Sequence, residues 1–191
     1  MIKDILKDVA IITSKEAAKA KISRSTLTRL CASGKIERVA RGVYLNLHAK
    51  NQLPISIEDL ISSVKSLKEG AICLISALSY YNLTEEIPRQ HWIAVPAHTR
   101  PIPRHNVRFI SFKDYQLGLK TIRIKGIPVK IYDQERTIVD SFKFLSIETA
   151  IKALKSYLKI NQKPDIEKLY RYSKLRRVNI KQYIEVLTIE G

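Results

Sequence analysis

The clustered carboxylates are the first residues in this chain that could do chemistry. Asp133, Glu135 and Asp140 lie within eight positions, and three carboxylates held together can bind Mg²⁺ for nucleic-acid hydrolysis. A structural role explains the same spacing, because Asp133 and Glu135 flank a predicted helix start, where negative charge offsets the helix dipole. Arg136, Asp140 and Lys143 then follow the spacing of ordinary salt bridges along a helix. We expect the structural role, with a Mg²⁺-dependent nuclease as an alternative.

Histidine and cysteine residues are the other candidates for metal binding or nucleophilic chemistry. His91, His98 and His105 recur every seven residues, but prolines lie between them and prevent a shared helical face. Cys31 and Cys73 lie alone in apolar stretches, without the paired spacing of a zinc site or a disulfide framework. Glycine-rich phosphate loops and Ser/His or Cys/His motifs are absent from the sequence. We therefore predict buried reduced thiols, no metal, no cofactor and no enzyme activity.

Hydroxyl and basic side chains are concentrated in the first fifty residues, and their chemistry suits DNA. Short hydroxyl side chains let a helix approach the major groove closely, and arginine can bind guanine O6 and N7 or a phosphate. The candidate DNA-binding residues are Ser14, Lys15, Ser23, Arg24, Ser25, Thr28, Arg29, Arg38 and Arg41. Those at 24–29 are expected in the major groove, and Arg38 and Arg41 on adjacent phosphates. Ser14 and Lys15 either hold phosphate or only begin a helix.

The net charge indicates the same class of partner. The chain has 191 residues, with 34 Lys and Arg against 18 Asp and Glu, for a formal net charge of +16. The excess is +7 in residues 1–53, +4 in residues 54–145 and +5 in residues 146–191, so no single tail carries it. Such a surplus favours a polyanion, with nucleic acid ahead of a membrane surface. Because no apolar run of about 18 residues and no signal-peptide profile is present, we expect a soluble, cytoplasmic protein.

Helices and a hairpin are predicted to position the basic residues. The first is a helix over 2–10, and the second is a short helix through Ala20 that begins at the capping box of Thr13 and Glu16. The third helix covers 24–33, with Ser23 as its cap and Gly34 as its stop. A hairpin of 36–39 with 43–45 follows. Leu27, Leu30 and Cys31 share the inner face of the third helix, which is expected to pack on Ala17 and the first helix. This order is that of a winged helix-turn-helix domain over residues 1–50.

A second domain is predicted over residues 54–191, after a polar linker at 51–54 that ends in proline. Its predicted elements are a helix at 56–67, a buried strand within the apolar run 71–75, a helix at 77–81 capped by Ser76, strands at 91–95, 107–110, 121–124 and 127–132, and helices at 134–144, 146–158, 165–173 and 180–188. The last two strands are expected to form a hairpin around Gly126. The predicted fold class is α+β: an N-terminal winged helix-turn-helix, a mixed α/β part at 54–145 and a helical tail at 146–191.

The residues that carry these elements also resemble a known family. The stretches ITSKEA at 12–17, ISRSTLTRL at 22–30 and GKIERVARGVY at 34–44 are similar to the winged helix-turn-helix of AbiEi-type antitoxins, the regulatory halves of type IV abortive-infection toxin–antitoxin pairs. The similarity continues in LISAL at 74–78, WIAVP at 92–96, GIPV at 126–129 and ERTIVD at 135–140. It covers roughly residues 3–145, and no motif of the helical tail matches.

The resemblance implies two functions. The winged domain would bind inverted repeats upstream of its own operon and repress it, with cooperative occupancy of two half-sites by a pair of molecules. The second domain would counteract a nucleotidyltransferase-type toxin, which need not involve a stable complex, so the toxin-contact surface stays unassigned. The basic tail and the arginines of the middle segment either extend the DNA footprint or serve solubility. A ligand-sensing transcription factor without a toxin partner is the second alternative, beside the nuclease.

Overall fold

The computed structural model describes residues 9–189, and by their contacts these form two compact units. The first unit contains the described residues up to Gly70 together with Thr121–Val129, and the second contains Ala71–Lys120 with the described residues from Lys130 onward. The helix predicted at 2–10 lies outside the described residues except for Val9 and Ala10, and neither of these is helical.

Two short helices and a three-stranded sheet make up most of the first unit. Its elements are β1 (Ile11–Thr13), α1 (Ser14–Lys19), α2 (Arg24–Ala32), β2 (Ile36–Ala40), β3 (Val43–Asn46) and α3 (Ile55–Lys65). The predicted capping box is present at the start of α1: the N–H of Glu16 donates to Thr13 Oγ1 at 3.1 Å, and the N–H of Thr13 donates to the Glu16 carboxylate at 2.8 Å. Both predicted helices and both hairpin strands are confirmed.

The sheet of the first unit has the order β1-β3-β2, with antiparallel pairs throughout. Strand β1 was missing from the predicted elements, because three residues are too few to show the period of a strand. It pairs through Ile11 with Leu45 and through Thr13 with Val43. The β2–β3 turn contains Gly42 at φ +72°, a conformation that L side chains rarely adopt.

The core of the first unit joins both helices to the sheet. Its buried members are Ile12, Ala17, Ile22, Leu27 and Ile36. Leu30 and Cys31 are partly buried against them, which confirms the predicted inner face of α2. Since Leu27 is only 1% exposed, the orientation of α2 about its own axis is fixed by packing.

Helix α3 also belongs to the first unit, where it packs on β1 and β2. The predicted linker at 51–54 precedes it, so the division between the compact units comes later, after Gly70. Lys65, at the end of α3, pairs with Glu16 of α1 at 2.5 Å, and its side chain is only 9% exposed. Lys65, which lies beyond the predicted linker, therefore binds Glu16 in the first turn of α1.

The second unit contains most of a mixed sheet, with helices before and after it in the chain, whereas residues 121–129, the hairpin around Gly126, belong to the first unit. The remaining elements are β4 (Ala71–Ile72), α4 (Leu74–Tyr80), β5 (His91–Pro96), β6 (Val107–Phe112), β7 (Leu119–Ile124), β8 (Ile127–Tyr132), α5 (Gln134–Phe144), α6 (Ile147–Ile160), α7 (Ile166–Arg176) and α8 (Lys181–Ile189). The sheet order is β6-β5-β4-β8-β7. As predicted, β7 and β8 are neighbours joined at Gly126, which has φ +82°.

The predicted start of α4 is wrong. The strand in the apolar run ends at Ile72, and the helix begins at Leu74 with Cys73 as its N-cap. Ser76 lies inside the helix, where its hydroxyl accepts the N–H of Trp92 at 2.9 Å instead of capping a helix. A short apolar run gives no period by which a strand can be separated from a buried helix.

The C-terminal helices match their predicted positions within three residues at each end. Asp133, Ser146 and Asp165 cap α5, α6 and α7 by accepting backbone N–H groups with their side chains. The helices share a core whose buried members include Ile138, Leu154, Leu169 and Ile184. Local signals, caps and apolar spacing, are therefore enough to define this part of the chain.

Three further features concern the metal, thiol and membrane expectations. Among residues 9–189, no group of three or more His, Cys, Asp and Glu could hold a metal ion. Cys73 is buried and Cys31 partly buried, and both are free thiols. No helix in the same range is long and apolar enough to cross a membrane.

Candidate nucleic-acid surface

Helix α2 is defined at both ends by local hydrogen bonding. Ser23 Oγ accepts the N–H of Thr26 at 3.1 Å, which satisfies one of the amides left open at a helix start. At the other end, Gly34 adopts φ +66°, the left-handed conformation that ends helices. With Leu27 buried beneath it, α2 presents its opposite face to solvent.

The outward face of α2 carries the predicted base-contacting side chains. Arg24, Ser25, Thr28 and Arg29 are all exposed, as is the capping residue Ser23. Within the described part of the chain, neither arginine forms an ion pair with a carboxylate. Their guanidinium donors are therefore available to acceptors outside the protein.

The hydroxyl groups of α2 are partly occupied within the helix itself. Ser23 Oγ lies 2.8 Å from Ser25 Oγ and 2.9 Å from Thr26 Oγ1. Thr28 Oγ1 donates to the carbonyl of Arg24 at 3.1 Å. Ser23 thus acts as a cap in this structure, whereas Thr28 has an oxygen that can still accept a bond from a base amino group.

The start of α1 and the turn of the hairpin lie side by side. The N–H of Ser14 donates to the carbonyl of Gly42 at 2.8 Å, and Ser14 Oγ is 3.4 Å from where a Cβ on Gly42 would lie. Lys15 and Arg41 are the exposed neighbours of these two residues. The structure therefore brings Ser14 and Lys15 close to the turn that contains Arg41, which is distant from them in sequence.

Strand β2 and the interhelical turn add further exposed cations. Arg38 is exposed on β2, where its register partner is Tyr44. Lys21, at φ 59° in the turn between α1 and α2, and Lys35, after the stop of α2, are exposed too. Sequence reasoning left these two lysines out because neither lies on the outward face of a predicted helix, although their charge was a visible signal.

The single acid of α1 is neutralised within the first unit. Glu16 accepts from Lys65, and from the N–H and hydroxyl of Thr13 at 2.8 Å each. Burial by itself raises the pKa of the Glu16 carboxyl, but the hydrogen bonds from Lys65 and Thr13 outweigh it and hold that pKa below its ordinary value. Glu16 thus stays ionised and paired with Lys65.

Two of the carboxylates considered for metal chemistry hold the C-terminal helices together. Asp133 lies at the predicted helix start, and its Oδ1 accepts the N–H of Arg136 at 2.8 Å and so caps α5. Its other oxygen lies 3.1 Å from Lys168, which also pairs with Glu135 at 2.9 Å. The hydroxyl of Tyr157 donates to the second oxygen of Glu135 at 2.8 Å.

The third carboxylate belongs to a buried ion cluster of Asp114, Arg136, Asp140 and Arg176. Asp140 accepts from Arg136 and Arg176 at 2.7 Å each, and Asp114 pairs with the same arginines at 3.2 and 2.6 Å. Arg136 is fully buried and Asp140 only 1% exposed. The predicted pair of Arg136 with Asp140 is therefore confirmed, although it is buried. The predicted part of Lys143 is wrong, because Lys143 donates to the Arg176 carbonyl at 3.4 Å instead of pairing with Asp140.

A comparison with protein families finds a match that covers the basic segment described above. Residues 1–46 match the family model described as transcriptional regulator, AbiEi antitoxin. The resemblance to AbiEi-type antitoxins is confirmed over these residues. The match contains β1, α1, α2, β2 and β3, whereas the stretches of similarity noted after residue 70 lie outside it. A comparison with curated proteins finds no match.

Proposed function

We propose that residues 1–50 form a winged helix-turn-helix domain that binds inverted repeats in the promoter of its own operon and represses transcription. In this proposal α2 is the recognition helix in the major groove, and the β2–β3 hairpin is the wing beside it. The family description of the matched segment, a transcriptional regulator, supports DNA as the partner.

The observation that carries the proposal is the two-sided character of α2. One face is buried through Leu27, while Arg24 and Arg29 on the outward face have no carboxylate partner in the described chain. Fully buried charged side chains are almost always paired, whereas these two arginines are exposed and keep their donors free. Unpaired arginines on the exposed face of a capped helix match the chemistry of guanine edges and phosphates.

Different residues take different roles in the proposed complex. Arg24, Ser25, Thr28 and Arg29 contact base edges or the phosphates beside them, with Ser23 fixing the helix start. Ser14, Lys15, Arg38 and Arg41 contact phosphates. The hydrogen bond from Ser14 to the hairpin turn supports this assignment, because it keeps the two phosphate-contacting segments in a fixed register.

We further propose that residues 54–191 counteract a nucleotidyltransferase-type toxin of a type IV system, a function that does not require a stable complex between the two proteins. The support is that the family matched by residues 1–46 is described as an antitoxin. Co-expression of the reading frame downstream of this gene tests it: the expected outcome is growth arrest that this chain relieves, whether or not the two products co-purify. A downstream frame that is harmless, or whose toxicity this chain does not relieve, would remove the antitoxin proposal.

DNA binding is tested by mobility-shift titration of the full chain on its upstream DNA and on a random duplex of equal length. We expect a clear preference for the upstream DNA, lost in a double variant R24A/R29A. The matched control is K155A/K159A, which removes two exposed lysines from α6 and leaves α2 intact. Equal affinity of the unmodified chain for the two duplexes would overturn the proposal.

A further inference from the structure

The middle of the chain contains a long basic stretch without acids. From Ile87 to Lys113 the sequence has five Lys and Arg residues and no Asp or Glu. In its centre is the sequence Arg100-Pro101-Ile102-Pro103-Arg104, called the arm below. The arm is symmetric about an isoleucine and contains two prolines and two arginines.

The arm lies in an irregular connection that is closed by a turn at each end. It joins β5 to β6, two parallel strands paired over six residue pairs, and residues 99–103 have no regular secondary structure. Turns close the connection on either side: the N–H of Thr99 donates to the Pro96 carbonyl at 2.9 Å, and the N–H of Val107 to the Arg104 carbonyl at 3.3 Å. The paired strands therefore give the arm a rigid base.

Most side chains of the arm are exposed, whereas Pro101 and Arg104 are half-buried. Ile102 is 75% exposed, and Arg100 is exposed as well. Within residues 9–189, neither Arg100 nor Arg104 forms an ion pair with a carboxylate. The prolines restrict φ and remove backbone N–H donors, so little conformational entropy is lost when the arm is bound.

These properties match the minor groove of duplex DNA. That groove is about 6 Å wide, too narrow for a helix but wide enough for an extended chain. Narrow A·T-rich grooves attract arginine through their negative potential, and minor-groove proteins insert apolar residues such as isoleucine and proline between base steps. At about 3.1 Å per residue in a polyproline conformation, the arginines span about 12 Å, or three to four base-pair steps of about 3.4 Å.

We propose that the arm enters the minor groove of A·T-rich DNA, with Arg100 and Arg104 in the groove and Ile102 against the base edges between them. The second unit then has a DNA contact of its own, in addition to the one proposed for α2. This inference takes DNA as the partner from the proposed function. It does not depend on an operator sequence.

Base substitution separates minor-groove from major-groove recognition. Anisotropy titrations of the full chain use three short duplexes without operator sequence: A·T-rich, the same sequence with inosine·cytosine pairs, and the same sequence with guanine·cytosine pairs. Inosine lacks the guanine N2 amino group, so its pair with cytosine presents an A·T-like minor groove but a G·C-like major groove. We expect similar affinity for the first two duplexes and about tenfold weaker binding to the third.

A charge-matched pair of variants assigns the effect to the arm. R100Q/R104Q should bind the A·T-rich duplex about tenfold more weakly and reduce the salt slope by about 1.8, since each lost contact contributes about 0.9. K155Q/K159Q removes the same charge from α6 and should retain the A·T preference. I102S should weaken A·T-rich binding with no change in the salt slope. Unchanged circular dichroism spectra show that all three variants remain folded.

Two results would overturn the arm proposal. One is equal binding of the three duplexes, and the other is equal loss of affinity in the arm variant and the lysine control. The second result would mean nonspecific electrostatic attraction or a protein partner for the arm. Failure of the proposed function alone gives a different result. The chain then binds the upstream DNA and random DNA with equal affinity, while the A·T preference and its loss in R100Q/R104Q persist.

Discussion

Arginine occurs in two contrasting environments in this chain. Arg136 and Arg176 are buried and surrounded by carboxylates, so removing either leaves buried negative charge without a partner. Arg29 and Arg41 are exposed and have no ion pair in the described residues. Substitution of Arg136 or Arg176 should therefore affect folding, and substitution of Arg29 or Arg41 should affect DNA binding.

The roles proposed for Arg29 and Arg41 differ in sequence dependence. Arg29→Ala should cost about 1–3 kcal/mol on the upstream DNA and little on random DNA, because it removes a base contact. Arg41→Ala should weaken both and reduce the salt slope by about 1, because it removes a phosphate contact. Mobility-shift titrations at several salt concentrations measure both quantities. Equal losses on both duplexes for both variants would contradict the division of roles.

The buried ion cluster predicts a large effect on stability. Arg136→Met leaves Asp140 without one of its two partners, and we expect the free energy of unfolding to fall by about 3–5 kcal/mol. Urea denaturation followed by circular dichroism measures the change. Lys174→Met, at an exposed position on α7, is the control and should stay within about 0.5 kcal/mol of the parent. A loss of less than about 1 kcal/mol for Arg136→Met would mean that the cluster is not energetically coupled.

At the scale of elements, α3 stabilises the start of α1 although it lies beyond the family-matched residues. The capping box of Thr13 and Glu16 sets the first turn of α1, and Lys65 fixes the other carboxylate oxygen of Glu16. Because the N–H of Ser14 is bonded to the turn at Gly42, the same pair also helps to hold α1 against the hairpin. A fragment that ends at residue 46 would lack this support.

The pH dependence of stability tests the link between α1 and α3. The folded-state pKa of Glu16 is lowered from 4.5, so its contribution is fully present above about pH 4.5 and is lost as the pH falls through the lowered folded-state pKa. Lys65→Met should cost about 1 kcal/mol at pH 7, and this difference should shrink below pH 4.5. Urea denaturation at pH 7 and pH 3.5 checks it, with the exposed Lys68→Met as control. A difference that is the same at both pH values would exclude Glu16 as the partner that matters.

At the scale of the whole molecule, the charge of +16 is a property of both units. Buried or partly buried carboxylates of the second unit are occupied by Arg136, Lys168 and Arg176, which leaves exposed cations in excess on its surface. We therefore expect both units to contribute electrostatic attraction to DNA, and only a few positions to contribute sequence preference. Affinity should accordingly depend strongly on salt, and specificity much less.

The whole molecule is expected to bind its operator as a cooperative pair. Inverted repeats about 10 base pairs apart present their major grooves on one side of the duplex, so two molecules should bind them cooperatively. Insertion of about 5 base pairs between the repeats turns one site to the opposite side and should abolish the cooperativity while leaving single-site affinity unchanged. Footprinting titrations on the two operators measure this. Cooperativity that is insensitive to the insertion would contradict pairing across one face of DNA.

Local signals in the sequence determined much of the fold and most of the proposed DNA surface. The capping residues Thr13 and Ser23, the stop at Gly34 and the hairpin turn at Gly42 each act within about four residues, so their geometry is encoded where they occur. The outward face of α2 follows from helical spacing in the same way. The nine DNA-contacting residues were named from such signals, and they stay predictions.

The tertiary structure alone decided the contacts between residues that are distant in sequence. Asp114 and Arg176 are 62 positions apart, and Glu16 and Lys65 are 49 apart, so no local pattern connects them. Strand β1 exists only through its pairing with β3, and the apolar run after Gly70 became helical at Leu74 through its packing. Backbone caps need only neighbouring residues, whereas ion clusters and short strands need a partner that folding alone brings into contact.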